Sequence, residues 1–239
     1  MNNLAKLTAE ATGTFALCFI GAGVICLTTY KGFATGVDLL AIAIAHGIAL
    51  SVAVSATMNI SGGHVNPAVT FAMLVTGRIS LSDAIAYIIA QLIGATIAGA
   101  LVLMIFKGMM VGDQQVVLAA GLGTPTYADP ITVGKAILIE ACLTFLLLIA
   151  VFGTAVDPRA PKIGGFGIGL TICADILVGG PLTGASMNPA RTFGPGLVAA
   201  MSGNLDVFWS QQMVYWVGPI VGAVVAAFVY DGLLKQKKA

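Results

Sequence analysis

Six apolar runs take up most of this chain, at roughly 7–29, 37–58, 82–106, 132–154, 163–182 and 208–233. Each is near the ~20 residues that a helix needs to cross a bilayer. Two shorter apolar stretches, roughly 67–76 and 189–200, lie among them, and each begins with the same tripeptide: Asn66-Pro67-Ala68 and Asn188-Pro189-Ala190. Stretches of about 10–14 residues are too short to span and read as re-entrant segments. The hydrocarbon core offers no water to backbone N–H and C=O groups, so such runs must close their hydrogen bonds as helices. With 58% hydrophobic and only 9% charged residues, against about 25% charged in a soluble domain, the chain cannot cover a water-facing surface. The expected fold class is an all-α membrane protein with six transmembrane helices and two re-entrant half-helices.

A net charge of +1 gives no electrostatic footprint for nucleic acid. The basic tail Lys235, Lys237 and Lys238 reads as a cytoplasmic end. Cys18, Cys26, Cys142 and Cys173 all lie in apolar segments with no CxxC spacing, so neither a metal nor a cofactor is expected. The first apolar run, from about Ala9 to about Leu27, is too long for the core of a cleavable signal. With six spans, Lys6, Arg78, Arg159, Lys162 and the tail lysines fall on one side, and Lys31, Lys107 and Lys135 on the other. The richer side is cytoplasmic, which puts both termini inside.

The two halves match. Glu10 lies in span one and Glu140 in span four, in the runs Glu10-Ala11-Thr12 and Glu140-Ala141-Cys142. The run Ser61-Gly62-Gly63-His64-Val65-Asn66 parallels Thr183-Gly184-Ala185-Ser186-Met187-Asn188. Three spans per half, an odd number, give the halves opposite orientation. One domain over 1–239 is expected, with inverted repeats at about 1–110 and 131–239. Intramembrane carboxylates are costly and normally paired or functional. Their symmetric placement favours a pair of braces for the re-entrant loops over a proton relay.

Asparagine is a preferred helix N-cap and proline is favoured at the first helical position, so Asn-Pro-Ala is physically a helix start. If each side-chain oxygen caps its helix, each amide NH2 is left over as a donor. Two donors can then meet at mid-membrane with the positive ends of both half-helices aimed at them. Such a point welcomes a neutral hydrogen-bond acceptor and repels cations.

These features together resemble the aquaporins of the major intrinsic protein family, over nearly the whole sequence. The resemblance rests on both Asn-Pro-Ala boxes, on Glu10 and Glu140, and on the run Asn188-Pro189-Ala190-Arg191-Thr192-Phe193-Gly194-Pro195. It implies a homotetramer with one pore per subunit. It also implies a selectivity filter at His46, Ile176, Ala185 and Arg191, placed by their spacing from the two asparagines. That set departs from the patterns of strict water channels and of glycerol facilitators and is similar to that of the tonoplast intrinsic proteins. Thr192 and the pair Tyr215-Trp216 match the water side of the family.

The function expected is a passive channel for water, with ammonia, hydrogen peroxide, urea or glycerol as further neutral solutes, excluding protons and ions. A glycerol facilitator with low water flux is one alternative, and an ion-coupled secondary transporter is another. Ser61, Ser186 and the two histidines form no nucleophile–base pair, so no enzyme is expected. His64 is expected to brace its loop or line the inner vestibule, and Asp175 to be a hydrogen-bonded support. The expected location is a cell plasma membrane, with a vacuolar membrane as the alternative.

Overall fold

The computed structural model describes residues 3–32, 37–161, 163–203 and 208–234. Its long helices are α1 (Asn3–Lys31), α2 (Val37–Ser61), α4 (Leu81–Phe106), α6 (Val133–Val151), α7 (Phe166–Thr183) and α9 (Phe208–Val229). Two shorter ones, α3 (Pro67–Val75) and α8 (Pro189–Met201), start at the two Asn-Pro-Ala boxes. Among the described residues, six helices are long and apolar enough to cross a membrane. Lys162, Lys235, Lys237 and Lys238, used above for orientation, lie outside the described residues.

Local signals set the boundaries. Ser80 caps α4 by accepting from the Asp83 N–H, and Thr132 caps α6 by accepting from the Lys135 N–H. Both α6 and α9 end in a π turn, at Phe152–Val156 and Tyr230–Leu234. Neither turn is marked by a local sequence signal, nor is the connection after α4. That connection holds a two-residue hairpin, β1 (Met110–Val111) with β2 (Gln114–Gln115), and then α5 (Val116–Ala119).

Packing repeats across the halves. α1 lies against α4 as α6 lies against α9, and α2 meets α7 between the halves. Each half-helix rests on the last span of the other half, α3 on α9 and α8 on α4. Glycine permits the closest crossings. A Cβ on Gly94 would stand 2.1 Å from the Ala11 carbonyl oxygen of α1, and one on Gly222 would stand 2.0 Å from that of Ala141 in α6. Small residues let helices approach in this way where no hydrophobic drive separates protein from lipid.

One end of the bundle is tied by charge. Arg78, after α3, meets Asp231 at 2.8 Å, and its guanidinium lies over the Phe152 ring. The same end holds Asp157, which accepts from Arg159 and from the Tyr230 hydroxyl. The Arg159 hydrogen bonds keep the Asp157 carboxyl below the ordinary carboxylate range.

Candidate functional site

The two half-helices begin face to face. Asn66 and Asn188 are both extended N-caps, with Pro67 and Pro189 at the first helical turn. The Asn66 Oδ1 accepts from the Ala68 N–H at 2.8 Å, and the Asn188 Oδ1 accepts from Ala190 at 3.0 Å and Arg191 at 3.3 Å. The amide groups are not wholly left over, as the sequence suggested. Asn66 Nδ2 donates to the Met187 carbonyl at 2.8 Å, and Asn188 Nδ2 donates to the Val65 carbonyl at 2.9 Å. Each NH2 has two hydrogens, so each half locks onto the other with one and keeps one for the cavity both side chains line.

Val65 and Met187 turn this corner with φ of 56° and 52°. That left-handed region costs an L residue roughly 1–2 kcal/mol, and it is a true outlier for a β-branched side chain. The bend turns each N–H toward a carboxylate in its own half and each C=O toward the asparagine of the other.

Those carboxylates are Glu10 and Glu140, both fully buried. Glu10 accepts from the Ser61 hydroxyl at 2.6 Å, from the His64 and Val65 N–H groups at 2.9 and 2.7 Å, and from Gln91 Nε2 at 2.8 Å. Glu140 accepts from the Thr183 hydroxyl at 2.7 Å and from the Ser186 and Met187 N–H groups at 3.0 and 2.7 Å. Each carboxylate therefore holds the loop that leads into a half-helix. Tyr87 and Tyr215 complete the brace, donating to the carbonyls of Ser61 and Thr183.

Residues from four separate segments gather at one level. Arg191 Nε and Nη2 lie 3.2 and 3.1 Å from His46 Nε2. His46 Nδ1 lies 2.8 Å from the Ile42 carbonyl, one turn back in α2, so Nδ1 carries the proton and Nε2 accepts from the guanidinium. Ile176 and Ala185 are buried at the same site. All four line a cavity of about 210 Å³ that runs inward past Asn66 and Asn188. A second cavity of about 240 Å³, bounded by Thr124, Pro125 and Gly184, also reaches His46 and Ile176. His46 and Ile176 thus border both spaces.

Asp175 corrects an expectation. It is 3% exposed, yet its side chain makes no hydrogen bond among the described residues, and Oδ2 is buried without a partner. It lines neither cavity. Glu140 takes the donors of the loop that follows the helix of Asp175.

The model of the family described as "Major intrinsic protein" matches residues 1–230. The chain is 44% identical to Aquaporin TIP4-4 of Zea mays over 234 residues, covering 94% of this chain and 84% of that protein. It is 42% identical to Probable aquaporin TIP3-2 of Arabidopsis thaliana, covering 95% and 82%. This chain belongs to the major intrinsic protein family. The X-ray structure of the aquaglyceroporin from Plasmodium falciparum superposes with a TM-score of 0.85 at 24% identity, covering 98% of this chain and 97% of that one, and shows the shared fold. As a major intrinsic protein it is a multi-pass membrane protein and a passive channel.

Within this family frame, one buried polar residue went unread in the sequence. Gln91 of α4 is fully buried and bridges Glu10 to Thr70, with Nε2 2.8 Å from the carboxylate and 3.0 Å from the hydroxyl. Comparing the halves could not find it, because four residues after Tyr87 stands Gln91 but four after Tyr215 stands Pro219.

Proposed function

We propose that the chain is a passive water channel, a single domain over 1–239 built of inverted repeats at about 1–110 and 131–239. Water is the main permeant, and small neutral solutes follow it. His46, Ile176, Ala185 and Arg191 form the filter, and Asn66 and Asn188 form the central station.

The observation that carries this reading is the meeting of two cavities at His46 and Ile176, where Arg191 is hydrogen-bonded to His46. A passing molecule there meets the fixed charge of Arg191, whose side chain lines the cavity. Ile176 supplies an apolar wall, and Ala185 leaves room beside it. Pore width, donor placement and positive electrostatics of this kind admit a neutral acceptor and oppose cations. Deeper in, each asparagine offers its remaining amide hydrogen.

An ion-coupled transporter would use its intramembrane carboxylates for the coupling ion. Here Glu10 and Glu140 are engaged as acceptors by four and three loop or helix donors, which favours the braces. From the family resemblance we infer a homotetramer with one pore per subunit, and from the lysine and arginine distribution that both termini are cytoplasmic. The TIP-type names of the relatives favour the vacuolar alternative over the plasma membrane.

Stopped-flow light scattering on proteoliposomes tests the reading. Shrinkage should be about tenfold faster or more than in empty vesicles, a barrier reduction of about 1.4 kcal/mol or more. Its rate should be indifferent to an imposed proton or sodium gradient. Folded protein that leaves the empty-vesicle rate unchanged would overturn it.

A further inference from the structure

We propose that Thr70, held in place by Gln91, fixes the ring of His64 so that Nε2 faces the inner half of the cavity as a hydrogen-bond acceptor. This rests on reading that cavity as the permeation path.

The proton and lone pairs of one buried hydroxyl, that of Thr70, decide the tautomer. Glu10 takes four donors and, as a carboxylate, can only accept. The Gln91 atom facing it is therefore the amide nitrogen, whose second hydrogen goes to Thr70 Oγ1 at 3.0 Å. A hydroxyl has one proton and two lone pairs. The Thr70 proton goes to the Asn66 carbonyl at 3.1 Å, a group that can only accept. Gln91 fills one lone pair. His64 Nδ1, 3.1 Å away, meets the other and must bring the hydrogen itself. A neutral imidazole has one N–H, so Nε2 carries the free lone pair.

Nε2 is placed to use it. His64 lines the cavity, and a Cβ on Gly62, another lining residue, would lie 3.4 Å from Cδ2 and Nε2 of the ring. Nε2 takes no hydrogen bond among the described residues. The nearby inner wall is apolar, with Val54, Met58, Val69 and Met73. His64 thus adds an acceptor between the inner mouth and the donors of the two asparagines. Molecules with an O–H or N–H to give, such as water or ammonia, are favoured there over solutes that can only accept.

The outer half lacks this arrangement. Ser186 stands where His64 does, pairs with the Thr192 hydroxyl and donates to the Asn188 carbonyl at 2.8 Å. Pro219, in the place of Gln91, offers no donor.

The chain has only two histidines, so ring-nitrogen solid-state NMR of the full-length protein in bilayers can read both. At pH 8, above the ordinary imidazole pKa of about 6.5, His64 should carry its proton on Nδ1, assigned through the Gly63–His64 backbone pair. Thr70→Val removes the acceptor and should move the proton to Nε2. Thr70→Ser should restore the wild-type signal. A wild-type His64 protonated on Nε2 would overturn the proposal even if Thr70→Val does not fold, and so would an unchanged tautomer in folded Thr70→Val. A correct tautomer in a protein with no water flux would instead count against the channel reading.

Discussion

Glu140→Ala should abolish the folded channel. The substitution strands the Ser186 and Met187 N–H groups and the Thr183 hydroxyl, all of which end on this carboxylate in a fully buried site. A buried donor left unmade costs about 1–3 kcal/mol, so the loss is about 3 kcal/mol or more. The left-handed turn at Met187, with φ of 52°, would lose the contact that holds it. The Met187 carbonyl would then drift from Asn66, and both halves would loosen together. Thermal unfolding in detergent, followed by size-exclusion chromatography, should show a large fall in midpoint or aggregated protein. Glu140→Gln keeps one carbonyl oxygen for the loop and should be intermediate. If Glu140 were a coupling residue instead, Glu140→Gln would fold normally and lose only gradient-driven uptake.

Arg191→Val should change selectivity while leaving the fold in place. The backbone N–H at position 191 still donates to the Asn188 Oδ1 cap in the variant, because the arginine side chain takes no part in that bond. What disappears is a buried cation beside His46 and Ile176. The opening widens, His46 Nε2 becomes an exposed acceptor, and the positive barrier is gone. Water permeability should hold within about threefold. The glycerol-to-water flux ratio should rise about tenfold or more, the equivalent of about 1.4 kcal/mol. Cation leak should rise with it. Paired osmotic measurements with an impermeant solute and with glycerol read both numbers, and an unchanged ratio would remove Arg191 from the filter.

Much of this arrangement was legible because it depends on local rules. Run length marks the spans, and Asn-Pro-Ala marks a helix start; the half-helices at Pro67–Val75 and Pro189–Met201 agree closely with the stretches read from sequence. The doubled Glu10 and Glu140 pointed to braces for the re-entrant loops, and each accepts hydrogen bonds from the loop of its own half. What escaped depends on partners distant in the chain. The Asn66 and Asn188 amides each spend a hydrogen on the opposite half, 121 and 123 residues away, so the leftover donor is one hydrogen rather than two. Gln91 lies in a long apolar run and acts on Glu10 81 residues away. Tyr87 and Tyr215 were within reach of a comparison of the halves, since both reach the carbonyl that opens a loop. Asp175 was expected to be hydrogen-bonded and is not: the donors of the loop after its helix go to Glu140 instead.

In the channel proposed, one passage conducts water and refuses protons. The most direct test follows both in the same vesicles: osmotic shrinkage by light scattering, and proton entry by a trapped pH-sensitive dye. Water flux should be well above that of empty vesicles, with proton entry at the empty-vesicle rate. No acceleration of water by folded protein, or a proton leak that rises in step with the water flux, would contradict it.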